Sequence, residues 1–423
     1  MIKILSLLGY LLIVLSVTSV LGDENLTCKI GETFWTTCTL NGPILEKGRT
    51  INPVRSEVYG LIIRNDESVK YLPDNVSSVF PKLTSYEVKR CSIADIHKSN
   101  FNGLSNLLTL SLMYNQIERI EADVFDDLVE LETLNLVGNK IKHIDVGAFK
   151  NLKELKNLFL DYNQLEELND ELFRNLTSLY VLSLGFNSMK SINISFDGLK
   201  TLNHLDLMGN QLEKLENDWF KNLESLKYLT LSSNLITEVD ENAFTGLSNL
   251  YSLDLSHNQL VGGMDHAMFK TLSHLHMLEM TNNSIKHINA SAFNGIGDLK
   301  SLILDHNQIE KLDHVVLTQL TNLTYLYMAN NSITDVDAKF FAERSKFFPN
   351  LKDVDLTSNI SINKMFVLED LISLEGLIKC RCEKIADSND VSIDECQINE
   401  FKEEMLAKFS ELEKKLHFCR STI

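Results

Sequence analysis

The chain has no excess of positive charge. Against 40 lysines and arginines stand 58 aspartates and glutamates, a formal balance of −18 at neutral pH. So acidic a surface repels phosphate, which makes nucleic acid and anionic lipid poor partners and a basic protein a suitable one. The short signatures of catalysis are missing as well. No glycine-rich phosphate loop, nucleophile elbow or HExxH motif occurs in the 423 residues. The stretch DSNDVSIDE at 387–395 lacks the glycine and the glutamate spacing of a calcium loop. Of the eleven histidines, His257 and His306 share a place in the pattern described below, but they fall two strands, or about 10 Å, apart with no ligand cluster between them. Four cysteines near His417 invite zinc, yet a secreted chain oxidises such cysteines to disulfides. No enzyme activity, cofactor or metal is expected.

Long apolar runs are also scarce. Residues 1–22 carry one early charge, Lys3, then LSLLGYLLIVLSVTSVL, and they end in small residues at Val20 and Gly22. That is the pattern of a secretory signal peptide cleaved before Asp23. The rival reading is an uncleaved signal anchor, because the run approaches spanning length. The serine and threonine content and the abrupt switch to DENLTC favour cleavage. No later segment is apolar enough to cross a bilayer, and the C-terminus has no hydrophobic tail for a glycolipid anchor. The mature chain is expected to be secreted and free of membrane insertion. Loss of Lys3 moves its balance from −18 to about −19.

What is present is a repeat. From Leu104 to Asn350 the sequence follows the frame LxxLxxLxLxxNxLxxIxxxxFxx, as in LSNLLTLSLMYNQIERIEADVFDD. Its asparagine falls at Asn115, Asn139, Asn163, Asn187, Asn210, Asn234, Asn258, Asn283, Asn307, Asn331 and Asn359. A fixed period in the low twenties is the mark of a solenoid. Leucines at places 7 and 9 (Leu110 and Leu112, Leu134 and Leu136) alternate with polar residues, as one face of a short strand requires. The asparagine at place 12 follows where the chain turns inward, and its amide has the donors and acceptor to satisfy buried backbone there. The phenylalanine at place 22 (Phe125, Phe149, Phe173, Phe196, Phe220, Phe244, Phe269, Phe293) is expected to fill the outer half of each coil.

These residues closely resemble the leucine-rich repeat. The resemblance covers 56–368 and implies an α/β solenoid, a horseshoe of about 13 repeats with a parallel concave sheet. A degenerate repeat between Val58 and Val79 has Leu61 and Ile63 as its strand residues, and the next puts Cys91 in the asparagine place as a buried structural thiol. The repeat opening at Leu176 is one residue short. The one at Leu247 is one long, with Gly262–Gly263 absorbing the change. The one at Leu320 carries four extra residues within DAKFFAERSKFFPN, expected as a helical turn on the convex side.

Caps are expected at both ends, because a terminal coil otherwise exposes its apolar edge. Residues 23–55 resemble an N-terminal cap closed by a Cys28–Cys38 disulfide, with Trp35 and Leu40 over the open core. Residues 369–423 resemble a C-terminal cap with Cys380, Cys382, Cys396 and Cys419, which in that family pair first to third and second to fourth. A capping box at Ser392–Glu395 and the apolar series Ile398, Phe401, Met405, Phe409, Leu412 and Leu416 read as an amphipathic helix. If it is continuous, Cys396 and Cys419 lie about 34 Å apart. Cys380 and Cys382 are at most about 7 Å apart. Both distal cysteines then cannot bond one Cys-x-Cys, since a disulfide needs Cα atoms within about 7 Å. Either the helix is broken, with the cysteines paired internally, or one of them, Cys419 first, joins a second chain in a homo- or heterodimer beside a short coiled coil.

Function is expected to be binding. Places 6, 8, 10 and 11 face the sheet or its edge, and in the N-terminal half they supply Met113, Tyr114, Val137, Phe159, Tyr162, Val181, Phe186, Met208 and Tyr228. Equivalent places stack about 4.8 Å apart, so these are candidates for one apolar and aromatic contact surface for a protein ligand. Further along, the same places turn acidic at Asp206, Asp254, Glu279, Asp305, Asp353 and Asp355, expected as a solvated face with Asp254 and Glu279 stacked directly. Sequons begin at Asn25, Asn75, Asn175, Asn193, Asn282, Asn289, Asn322 and Asn330, and also at the ladder residue Asn359, expected to be buried. Sugars on Asn282 and Asn330 would shield the C-terminal concave edge and leave the aromatic stretch bare.

The arrangement of leader, small N-cap, 24-residue repeats, cysteine group and terminal helix is similar to the extracellular leucine-rich-repeat proteins of insects, above all the secreted leucine-rich immune proteins of mosquitoes. That resemblance implies a recognition or adaptor role in innate immunity. A matrix or adhesion component, or a soluble protein like a receptor ectodomain, is the alternative.

Overall fold

The computed structural model describes residues 27–31, 37–41, 51 and 57–367, apart from 193, 195, 265–267, 361 and 363. The expected helix and cysteines of 369–423, the leader and the sequons Asn25 and Asn193 lie outside the described residues.

Each repeat contributes one short strand to a single sheet of 16 strands. Thirteen of them, from Gly60–Asp66 to Asp353–Asp355, run parallel, one per coil. That agrees with the count expected from the sequence. Register is uniform: Leu110 lies beside Leu134, Leu158 beside Leu182, and so on to Leu326 beside Val354. The strands are three residues long in most coils because only places 6 to 8 are extended, and their middle residue is buried.

Two buried columns hold the coils together. The place-22 phenylalanines from Phe125 to Phe293 are at most 2% exposed, and neighbours stack, as Phe220 on Phe244 with centroids 6.4 Å apart. The second column is the asparagine ladder. Asn210 is typical: its Nδ2 donates to Leu184 O of the preceding coil (3.0 Å) and to Leu207 O of its own (3.1 Å). Its Oδ1 accepts from the Met189 amide at 3.1 Å. One amide thus satisfies three backbone groups across two coils, each of which would cost about 1–3 kcal/mol if left unmade in the core. In the ladder place of the second coil Cys91 is buried, and its thiol donates to Lys89 O at 3.7 Å.

The irregular repeats fall where their lengths differ. Val261–Met264 pairs with Ser284–Ile288 through a register shift at Gly262/Gly263. The four-residue insertion forms two short helices, Ala338–Ala342 and Arg344–Phe347, the first capped by Asp337. At the N-terminal end a hairpin of Thr27–Gly31 and Thr37–Asn41 adds to the sheet, with Cys28 opposite Leu40 and Cys38 opposite Ile30. At the other end the chain turns back past Asn359, and Met365–Phe366 pairs antiparallel to Asp353–Asp355. Phe366 is fully buried there and covers the last coil.

Candidate functional site

The sheet face is built from places 5 to 8, and its edge from places 10 and 11. Place 11 has a backbone peculiarity that the repeat frame did not reveal. From Asn65 to Ser358 every described residue there has a positive φ: Tyr114 at 54°, Tyr162 at 55°, Phe186 at 53°, His257 at 54°, with Gly138 and Gly209 taking their turns in the series. The left-handed residue donates its N–H to the place-10 carbonyl of the next coil, Phe186 N to Met208 O at 2.7 Å, and sends the next side chain, the ladder asparagine, inward. Glycine, asparagine, serine and histidine in this column were the available signal. Bulky aromatic rings there carry a steric cost.

Those rings are also exposed. Tyr162 is 54% and Phe186 38% exposed, and they stack face to face with centroids 4.4 Å apart and planes 7° from parallel. The Phe186 ring then lies on Gly209, where an added Cβ would meet it at 2.7 Å. Tyr114 lies likewise over Gly138, with the Arg90 guanidinium 5.5 Å from its centroid. Of the nine predicted contact residues, Tyr114, Tyr162, Phe186 and Tyr228 are exposed, while Met113, Val137, Phe159, Val181 and Met208 are half-buried. The coil of Gly138 separates Tyr114 from Tyr162. Val181 and Tyr228 do not join this edge, because their register places them on the strands, either side of His204.

Tyr228 belongs instead to a second file of rings on the sheet face. His204 stacks on it (4.4 Å, 16°), and Tyr180 leans on His204 at 5.7 Å. On the other side Tyr251 follows at 6.0 Å and His276 at 4.6 Å. The file crosses five consecutive coils. Tyr180, Tyr251 and His276 come from place 5, which was not among the places expected to face the sheet, so only one of the five rings was predicted. Burial lowers the pKa of His204, and its Nδ1 is enclosed without a partner.

The acidic column beside this file is not the purely solvated face expected from the sequence. Its members are half-buried, and several hold backbone amides that the short strands leave free. Asp206 accepts from Met208 N (2.8 Å), Asp254 from Ser256 N (2.8 Å), Asp355 from Thr357 N (2.9 Å) and Asp305 from Ala329 N (2.7 Å). Asp161, two coils before Asp206 on the edge, accepts from Gly185 N at 3.0 Å. Asp254 and Glu279 are register neighbours, as the frame required. Burial raises the pKa values of Asp206, Glu279 and Asp305, and neighbouring carboxylates add to it: Asp161 and Asp254 on Asp206, Asp254 and Asp305 on Glu279, Asp355 on Asp305.

One trio of side chains has metal-ligand chemistry. The donor atoms of Asp313, His314 and Asp337 lie within 4.8 Å of one another. All three are already engaged in the fold. Asp313 caps the helix His314–Leu317 through the Val315 amide, and Asp337 caps the next through Lys339. The second oxygen of Asp337 holds His314 Nδ1. The trio joins adjacent coils. His257 and His306 are not part of it; each lies beside a sequon asparagine of the following coil, Asn282 and Asn330. Asn175, Asn282, Asn289 and Asn330 are exposed. Asn75 and Asn322 are half-buried with their amides engaged, Asn75 with both polar groups of Ile51 and Asn322 with Gly297 O. Asn359 is buried in the ladder.

No curated protein matches the sequence. Among solved structures the chain is similar to TLR13 in its complex with ssRNA13, at 25% identity and a TM-score of 0.61 over 70% of this chain and 46% of that one. It therefore spans less than half of that protein. It is similar to a chain of the octameric complex of Latrophilin 3, Unc5D and the leucine-rich repeats of FLRT2 (26% identity, TM-score 0.57, 65% of this chain and 84% of that one). A likeness in fold alone extends to the Drosophila Toll–Spatzle complex, at 18% identity and a TM-score of 0.56 over 80% of this chain and 56% of that one. No helix among the described residues is long and apolar enough to cross a membrane. The leucine-rich-repeat model matches residues 81–141, 130–179, 153–212, 200–260 and 261–309, its two-copy form matches 297–339 and 321–373, and its single-copy form 249–272; this chain belongs to the leucine-rich-repeat family.

Proposed function

We propose that this chain is a secreted recognition protein that holds a protein partner on its sheet face and aromatic edge, and that it works in innate immunity. The observation that carries this is the Tyr162–Phe186 stack: two large rings exposed on a backbone conformation that disfavours them. Strain of that kind is concentrated at functional sites, and stacked aromatics are strong anchors at protein interfaces. The likeness to TLR13 and to the FLRT2 complex supports a recognition role. RNA, present in the TLR13 complex, does not suit this face, because the half-buried carboxylates beside the rings would repel a phosphate backbone. Exposed Asn175, Asn282, Asn289 and Asn330 are proposed to carry N-glycans, and the tail cysteines to form disulfides or one interchain bond.

Affinity capture from body fluid with the wild type and with Phe159→Asp plus Phe186→Asp tests the partner surface. The expected result is loss of the captured proteins from the double variant; an unchanged set overturns the proposal. A matrix or receptor-like signalling component is the second reading, favoured by the FLRT2 likeness. Induction of the transcript by infection supports the first reading, and steady deposition in insoluble matrix the second. Non-reducing electrophoresis of the secreted protein decides the covalent dimer, and an endoglycosidase shift the glycans.

A further inference from the structure

We infer that the ring file Tyr180–His204–Tyr228–Tyr251–His276, with the carboxylates Asp206, Asp254 and Glu279 beside it, is a binding strip for an extended cationic polypeptide segment, arginine being preferred to lysine. This rests on the reading of the sheet face as the partner surface and names the chemistry of what binds there.

Three features of the strip converge on that occupant. Rings and carboxylates share one face of the same strands: His204 precedes Asp206 by two residues, and the three carboxylates lie in one register column with Thr230 between Asp206 and Asp254. Two residues along a strand is about 7 Å, within the reach of a guanidinium laid on a ring and hydrogen-bonded to the neighbouring acid. Five coils at about 4.8 Å give a strip about 19 Å long, which matches some six residues of extended chain at about 3.3 Å each.

Charge gives the second feature. Asp254 and Glu279 are direct neighbours, and like charges so placed destabilise a sheet unless a cation intervenes. Burial and mutual repulsion already raise the pKa values of Asp206 and Glu279, so a bound cation would relieve a cost the free protein bears. The third feature is exposed ring surface: Tyr180, Tyr228 and Tyr251 are 47%, 39% and 42% exposed, and at the tilted junctions Tyr180–His204 (52°) and Tyr228–Tyr251 (55°) no parallel neighbour covers the ring. Among the described residues the cation–ring contacts involve Tyr114, Phe347 and Phe366, none of them in the file. Lys227 and Lys300 share place 5 with Tyr180, Tyr251 and His276, Lys227 within the strip and Lys300 one coil past its end, so the cations of the occupant are drawn to the carboxylate side, places 6 to 8.

The test uses the full-length protein and fluorescent peptides of about six arginines, six lysines or six glutamates, sized to the strip, followed by anisotropy at rising salt. The arginine peptide is expected to bind, the lysine peptide about three- to tenfold more weakly, and the glutamate peptide not at all. Tyr228→Leu plus Tyr251→Leu should weaken arginine binding about tenfold. Asp254→Asn plus Glu279→Gln, which keeps one carbonyl acceptor at each place, enough for the Ser256 amide held by Asp254, should do the same and flatten the salt dependence. Failure of the wild type to bind the arginine peptide, or equal binding by wild type and both double variants, overturns the inference. If that happens while Phe159→Asp plus Phe186→Asp still loses its captured partners, the proposed function stands and only the cationic occupant falls.

Discussion

Two files of stacked rings run from coil to coil, one inside the solenoid and one on its face, and they obey different rules. Inside, Phe196, Phe220, Phe244 and Phe269 repeat a single residue type at a single place, each sealed from water. On the face, Tyr180, His204, Tyr228, Tyr251 and His276 mix two residue types and slip between two places. Burial forces the first file to be uniform, because a coil that lacked its ring would leave a cavity between two neighbours. Nothing in the fold requires the second, so its composition is free to answer to a partner.

The comparison is broken if the inner file proves dispensable. Phe220→Ala is expected to cost about 3–5 kcal/mol in denaturant unfolding; a loss under about 1 kcal/mol would mean that the coils close without it. Asn210→Ala should cost about 2–4 kcal/mol, since it orphans the carbonyls of Leu184 and Leu207 and the amide of Met189. Amide exchange at Met189 should rise with it. Gly209→Ala tests the edge, where φ is +69° and the new methyl would strike the Phe186 ring. A cost of about 1–2 kcal/mol is expected, together with loss of partner capture; unchanged capture would detach the ring's position from function.

The smallest effect sharpens the contrast on the face. Burial and the charges of Asp254 and Asp305 hold the Glu279 pKa above its usual value. The folded state therefore loses stability as pH rises through that raised value and regains it on acidification below the ordinary carboxylate range. Glu279→Gln should stabilise the protein at neutral pH by about 0.5 kcal/mol, and the gain should vanish below about pH 4. A melting-temperature series across that range reads it, and a gain that persists in acid would point to packing instead of charge.

How much the sequence disclosed follows the same division. Thirteen strands, the phenylalanine column, the asparagine ladder, the slip at Gly262–Gly263 and the helical insertion at 338–347 were all legible, because burial makes their residues periodic. The face file was not, because Tyr180, Tyr251 and His276 share a place with asparagine and lysine in other coils and carry no period. The part that Asp206 and Asp254 play in holding amides two residues on was also hidden, since a carboxylate that accepts from backbone has the same letter as one in water. The turn back at Met365–Phe366 lacks any frame residue that could announce it.

The left-handed place before each ladder asparagine carries a consequence for how this surface can change. Its occupants are arginine, tyrosine, phenylalanine, histidine, serine, asparagine and glycine; valine, isoleucine and threonine never appear. A branched Cβ cannot sit comfortably at that φ. The edge of the horseshoe therefore draws its variation from a shortened alphabet. Drift or engineering there can trade aromatic for polar or for nothing at all, while aliphatic branched residues, common elsewhere on strands, are shut out by the backbone itself.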